Sequence, residues 1–277
     1  MKIATVRGMN FEVPNDAWWS FYNSPYPAHK LGTAVDVYFP EKALFPLEEG
    51  IVEGIKKVRT PAHVPIREDY VMIFRIGEFC LKVLHVKPTV KVGEKVALGD
   101  EIGEMTVSGF YMPWSDRHVH FELRSCENPY RARGAFQIRP ELLRLVPTAE
   151  GREFEVVERR ENYCWIVPIR RRKENLTPIA FNDHPIEGGL PHYHYGAVFG
   201  NTEKVRVLNV ELPAQQISSG ASIFRADFEI MANGEKAIGV GIYCNQEKLK
   251  LVGGNFEEGE IIVLTAFPKT RKSRRVY

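Results

Sequence analysis

The stretch HVHFELR, His118 to Arg124, places two imidazoles two residues apart. In an extended strand successive side chains point to opposite faces, so Val119, Phe121 and Leu123 would enter a core while His118, His120, Glu122 and Arg124 share the other face. Two imidazoles side by side suit a metal site or a pair of proton-handling groups. An ordinary half-buried strand with a polar outer face has the same pattern, so the pair takes its meaning from residues elsewhere. His29 and Asp36 flank Gly32 in PYPAHKLGTAVDVYFP, and His85 closes the apolar run CLKVLHV. A second alternation, His192 and His194 in GGLPHYHYGAVFG, follows Asp183 and His184 in FNDHP. It reads as another metal site, as a substrate-reading loop, or, most simply, as an aromatic-rich loop whose histidines are polar tips. Trp18, Trp19, Phe21, Tyr22 and Tyr26 precede His29. They either line a groove or pack across one end of a sheet, and packing is expected.

The elements that must position these residues are short apolar or alternating runs bounded by Gly, Pro and charged turns. TAVDVYF, GIVEGIKKV, YVMIFRI, CLKVLHV, KVALG, EIGEM and HVHFELR read as strands. A helical turn is expected over PELLRLV, Pro140 to Val146, because Pro suits a first helical position and leucines follow at helical spacing. The polar break PTAEGRE follows, so the domain boundary is placed near residue 150, giving domains 1–150 and 151–277. The second part is again strand-like, in EFEVVER, YCWIVPI, KVRVLNVEL, SIFRADFEIMA, AIGVGIYC and EIIVLTAF, with a hairpin signal at Asn233-Gly234. The fold class expected is mostly β, with an antiparallel sandwich or barrel in the C-terminal domain.

Composition narrows the function classes. A chain of 277 residues can hold two domains, each with its own core, and 44% hydrophobic with 26% charged residues is a globular balance. The net charge of +2 gives no strong pull towards nucleic acid or a membrane surface. The basic end KTRKSRRVY is short enough to be a solvated tail. No apolar run reaches the length of a membrane span and the first residues carry no secretory pattern, so a cytoplasmic protein is expected. The cysteines, Cys80, Cys126, Cys164 and Cys244, form no CxxC pair and read as free, mostly buried thiols.

Four stretches of the first half occur in an order that resembles the lysostaphin/LytM-type zinc endopeptidases. They are the His29–Asp36 segment, a hairpin signal at ALFPLEEGIVEGI, the run from His85 through VKVGEKVALGDEIG (Val90 to Gly103), and HVHFELR with Asn128-Pro129 behind it. The resemblance covers about residues 25–137. It implies a duplicated hybrid motif of curled antiparallel sheets, with His29, Asp36 and His120 as zinc ligands and His118 and His85 as catalytic groups flanking an open coordination position. The implied reaction is hydrolysis of a peptide bond by metal-activated water, on a peptide or peptidoglycan-like substrate. Two imidazoles and one carboxylate fit hydrolytic rather than structural zinc, because the fourth position is left to water. The competing expectation is a non-catalytic module of the same fold that serves binding or scaffolding. Biotinyl and lipoyl carriers have a similar half-barrel, but their lysine-bearing tripeptides, Met-Lys-Met and Asp-Lys-Ala, do not occur here.

Overall fold

The structure, a computed structural model, describes residues 1–60, 68–108, 114–141, 146–175, 180–181, 184–218 and 220–269. The chain is mostly β, 59% strand against 2% helix, in curled antiparallel sheets and half-barrels. Two compact units divide it: Met1–Phe21 with Tyr26–Leu143, and Tyr22–Pro25 with Arg144–Tyr277.

In the first unit the strands are β1 (Lys2–Val6), β2 (Met9–Glu12), β3 (Trp18–Ser20), β4 (Val35–Tyr38), β5 (Ala43–Leu44), β6 (Glu49–Arg59), β7 (Glu68–Ile76), β8 (Phe79–Leu84), β9 (Val86–Pro88), β10 (Lys95–Ala97), β11 (Glu101–Met105), β12 (Val119–Ser125) and β13 (Arg139–Pro140). One helical turn, α1 (Pro27–Lys30), interrupts them. The main sheet has seven strands in the order β10-β6-β7-β8-β12-β4-β3, and two three-stranded sheets, β13-β1-β2 and β5-β11-β9, complete the unit. All these pairings are antiparallel. Antiparallel neighbours share a face at opposed positions, so register decides which side chains meet. Asp36 on β4 lies opposite His120 on β12, and His120 lies opposite Leu84 on β8.

Val119, Phe121 and Leu123 enter the core, where Phe11 meets Phe121 edge-on at 6.2 Å between ring centroids. The opposite face of β12 is not a solvated one. His118, His120, Glu122 and Arg124 are each at most 3% exposed. The returning chain covers them: the Arg124 guanidinium donates to the carbonyls of Arg131 and Arg133, and Phe136 N–H donates to Leu123 O at 2.8 Å. Buried polar groups demand partners, so this face must be built as a network.

Three expectations are corrected. The helical turn at Pro140–Val146 is replaced at both ends by strand: Pro140 pairs with Ala4, and Val146 opens a strand that runs to Arg159, while residues 142–145 lie outside those described. The polar break PTAEGRE is part of that strand, which absorbs the polar residues through register shifts and a left-handed Gly151 at φ +86° instead of ending. Finally, Cys80 and Cys126 are joined in a disulfide, and only Cys164 and Cys244 are free and buried. Their separation of 46 residues hides in sequence a proximity that the β8–β12 pairing creates, with Arg124 opposite Cys80.

The second unit is one antiparallel sheet of thirteen strands. Its core includes Phe154, Ile166, Ile186, Val240, Leu251 and Ile262, these six each at most 1% exposed. Asn233 and Gly234, at φ +51° and +85°, form the two-residue hairpin between Phe228–Ala232 and Glu235–Ala237. Among the described residues no helix is long and apolar enough to cross a membrane.

Candidate metal centre

His29 is delivered by a single helical turn. Pro27 provides the preset φ of a first helical position. Gly32, at φ +64°, donates its N–H to His29 O at 3.0 Å and reverses the chain into β4. The six residues between His29 and Asp36 are used up by that turn and reversal, which bring the buried imidazole onto the face that Asp36 and His120 already share. Its Nδ1 donates to the Phe21 carbonyl at 2.7 Å, which leaves the lone pair on Nε2.

Three side chains converge. His29 Nε2 lies 3.1 Å from Asp36 Oδ1 and 3.1 Å from His120 Nδ1, and His120 Nδ1 lies 2.7 Å from Asp36 Oδ1. On the far side of its ring, His120 Nε2 donates to Glu122 Oε1 at 2.9 Å. The distal nitrogens of both rings are committed to oxygens that only accept, so with both rings neutral His29 Nε2, His120 Nδ1 and Asp36 Oδ1 are three acceptor atoms pointed at one another. A proton on His120 Nδ1 relieves that repulsion, and a divalent cation would relieve it with more charge. Burial opposes ionisation of both groups, but each overcomes it. The Asp36 carboxyl is held well below its ordinary value by the His29, His118 and His120 rings. His120 is raised to about 9 by its hydrogen bonds to Asp36 and Glu122.

Behind His120 the network continues. Glu122 accepts from Lys82 Nζ at 3.3 Å and from Arg124 Nη1 at 3.1 Å, and Lys82 also donates to Arg131 O at 3.2 Å. Burial raises the Glu122 carboxyl; its bond to His120 and the charges of His120, Lys82 and Arg124 outweigh that and keep it ionised. A metal-ligating imidazole backed by a carboxylate is the arrangement that fixes ring orientation and raises ligand basicity.

His118 and His85 stand at the rim of this cluster. His118 Nδ1 donates to Asp116 O at 2.8 Å, and its Nε2 lies 3.9 Å from Asp36 Oδ2. Burial, only partly opposed by Asp36, lowers His118 to about 4, so at neutral pH it is neutral and its Nε2 is an acceptor. The His85 ring is 4.9 Å from that of His118 and 6.2 Å from that of His120, centroid to centroid. His85 takes the left-handed conformation, φ +65°, between β8 and β9, a conformation that costs a non-glycine residue about 1 kcal/mol or more. Its Nδ1 donates to Asp69 Oδ2 at 2.6 Å. All five residues singled out from sequence are therefore brought together. Asp69, Glu122 and Lys82 are additional members: Glu122 was readable as the next same-face residue after His120, but nothing local to EDYVMIF marks Asp69, whose approach depends on the β7–β8 register that sets Val71 opposite Leu84.

The aromatic residues divide. Trp19 and Phe21 are core residues, and Tyr22 packs in the second unit against Phe199 at 6.0 Å. Tyr26 stands edge-on to His120 at 5.4 Å, and Trp18 stacks at 3.6 Å on Tyr38, itself 5.4 Å from His118. Among the described residues one other grouping has metal-type ligands, Glu53 with Cys80 and Cys126, but its two sulfurs are bonded to each other. No such grouping includes His192 or His194. His192 is half-buried over Gly239, where a Cβ would lie 2.2 Å from its Nδ1, and Asp183 and the side chain of His184 lie outside what is described.

Residues 12–140 match the family model described as the N-terminal domain of DUF8155, a domain of unknown function, and residues 146–266 match the C-terminal domain of the same family. No curated protein matches the chain.

Proposed function

We propose that this chain, which belongs to the DUF8155 family in both of its domains, is a zinc-dependent hydrolase of peptide bonds, with His29, Asp36 and His120 as metal ligands. One observation carries the reading: three potential ligand atoms within 3.1 Å of one another in a buried site, each aimed by a partner on its far side or by strand register. The donor set of two nitrogens and one carboxylate oxygen fits zinc with a position left open. When bound, zinc would act as a Lewis acid and lower the pKa of a coordinated water from ~15.7 towards ~7.

The other roles follow from the chain's own groups. His118, neutral and with Nε2 an acceptor, would be placed to accept the proton of an attacking water and to pass it to a leaving amine. His85, oriented through Nδ1 by Asp69, is assigned to hydrogen-bond the substrate carbonyl oxygen as charge develops there. Glu122 holds His120 and is itself held by two buried cations. The Cys80–Cys126 disulfide favours an oxidising compartment over a reducing cytoplasm. That agrees with the wall-type peptides cut by the lysostaphin/LytM enzymes the sequence resembles.

The competing reading, a binding module without catalysis, is separated by experiment. Elemental mass spectrometry of purified protein should give close to one zinc per chain, absent from a His29→Ala, His120→Ala variant. A His118→Ala variant should keep its zinc and its fold and lose hydrolysis of a peptide library. Wild type without zinc after reconstitution, or hydrolysis indifferent to chelators, would reject the hydrolase.

A further inference from the structure

Beside the metal centre lies a cavity of about 370 Å³ that shares His85 and His120 with it. Its walls are the apolar side chains of Val58, Val71, Leu84 and Ala132 and the ring of Tyr130. The charged groups on the lining are engaged within the chain: Lys82 by Glu122 and the Arg131 carbonyl, Asp69 by His85, and His120 by Asp36 and Glu122. Tyr26, Ser108 and His85 complete the lining, so what the cavity offers an entering group is mostly apolar surface with a few polar atoms beside it, and its size exceeds the roughly 150 Å³ that accommodates benzene in a protein interior.

Tyr130 is held as one wall by two contacts. Lys56 Nζ lies 3.5 Å from its ring centroid, and its hydroxyl reaches so close to Gly54 that a Cβ there would come within 2.4 Å of it. A glycine in the middle of the long strand β6 weakens that strand, and here it gives the tyrosine room to lie down. The wall is thus built by a residue chosen for lack of a side chain, on a strand where β-branched residues would serve the sheet better.

We infer that this cavity is a subsite for a leucine- or phenylalanine-sized side chain on the residue next to the scissile bond, so that the substrates are peptides with a bulky apolar residue there and not polyglycine. The inference rests on the hydrolase reading for the word substrate but not for the recognition itself. A glycine would leave the cavity to water, and the transfer of an aromatic side chain into it is what distinguishes the two peptides.

The test uses the full-length, metal-free chain with isoleucine, leucine and valine methyls labelled for NMR, titrated with N-acetylphenylalaninamide and with N-acetylglycinamide. The phenylalanine probe should bind at least about tenfold more tightly, shifting the methyls of Val58, Val71 and Leu84. Val58→Phe, which fills the cavity from a half-buried position, should abolish that preference. Tyr130→Ala, at a position that is 38% exposed, should reduce it severalfold, and Gly54→Ala should act in the same direction by displacing the ring. Equal binding of the two probes, or shifts confined to other methyls, would overturn the subsite. If the preference is found but the zinc-loaded protein cleaves no peptide, the hydrolase reading fails and the apolar recognition stands. If peptides are cleaved with no probe preference, the subsite fails alone.

Discussion

Glu122→Gln isolates what the network behind the metal centre contributes. The carboxylate is fully buried and accepts three bonds: Oε1 takes His120 Nε2 and Lys82 Nζ, and Oε2 takes Arg124 Nη1. Glutamine keeps the shape and one oxygen. With that oxygen at the Oε1 position it still accepts from His120 and Lys82, but its NH2 then faces Arg124 Nη1, donor to donor, across 3.1 Å. The flipped amide keeps Arg124 and opposes the other two. In either pose the Lys82 and Arg124 cations, 3% and 2% exposed, lose their countercharge. Removing one partner from a buried charge cluster costs about 3–5 kcal/mol. The carbonyls of Arg131 and Arg133 still accept from these cations, so the low end, about 3 kcal/mol, is expected for the metal-free protein by denaturant unfolding. Zinc affinity, measured by competition with a chromophoric chelator, should fall about 10–100-fold, because His120 loses the partner that fixes its ring. Wild-type zinc affinity in a destabilised variant would show that Glu122 serves packing alone. A stability loss under about 1 kcal/mol would refute the charge argument itself.

Other consequences are separable from this one. Asp36→Asn keeps the size of the side chain but removes the anion and puts an NH2 or a weaker acceptor between two imidazoles, so the purified protein should contain less than about a tenth of the wild-type zinc by elemental mass spectrometry. The Cys80–Cys126 bridge closes a loop of 46 residues, for which chain entropy suggests about 4 kcal/mol of stabilisation. Cys126→Ser should lower the unfolding free energy by up to that amount, and a reductant should destabilise wild type but leave the variant unchanged. In the second unit, burial, with Lys250 and His194 adding to it, lowers His192 to about 3. A folded-state pKa below the unfolded value of 6.5 means that the unfolded chain binds the extra proton first, so stability is present above pH 6.5 and declines as pH falls towards 3. Between pH 6.5 and pH 4 the loss should be about 2 kcal/mol after allowance for partial exposure. His192→Gln should flatten that part of the stability profile, and an unchanged slope would place the titration on another group.

The sequence by itself determined the strand content and the inward face of β12, because alternation of apolar residues is a local property and Val119, Phe121 and Leu123 carry it alone. It also supplied the hairpin at Asn233-Gly234, where two left-handed residues are required and these two tolerate them best. The chemistry of the five residues His29, Asp36, His85, His118 and His120 was legible as residue type and order. Their convergence was not, since it depends on the β4–β12 register and on how one helical turn and Gly32 take up the six residues after His29. The register shift that carries Val146–Arg159 through a polar stretch was decided by pairing with neighbouring strands, which outweighed the local turn signals of Pro147 and Gly151. Only the tertiary structure could bring Asp69 to His85, Cys80 to Cys126, and Lys82 to Glu122. The physical reason is the same in each case. Burial removes water from a polar group and obliges it to find a partner, and that partner is chosen by the sheet's geometry in space, at separations along the chain that no local pattern records.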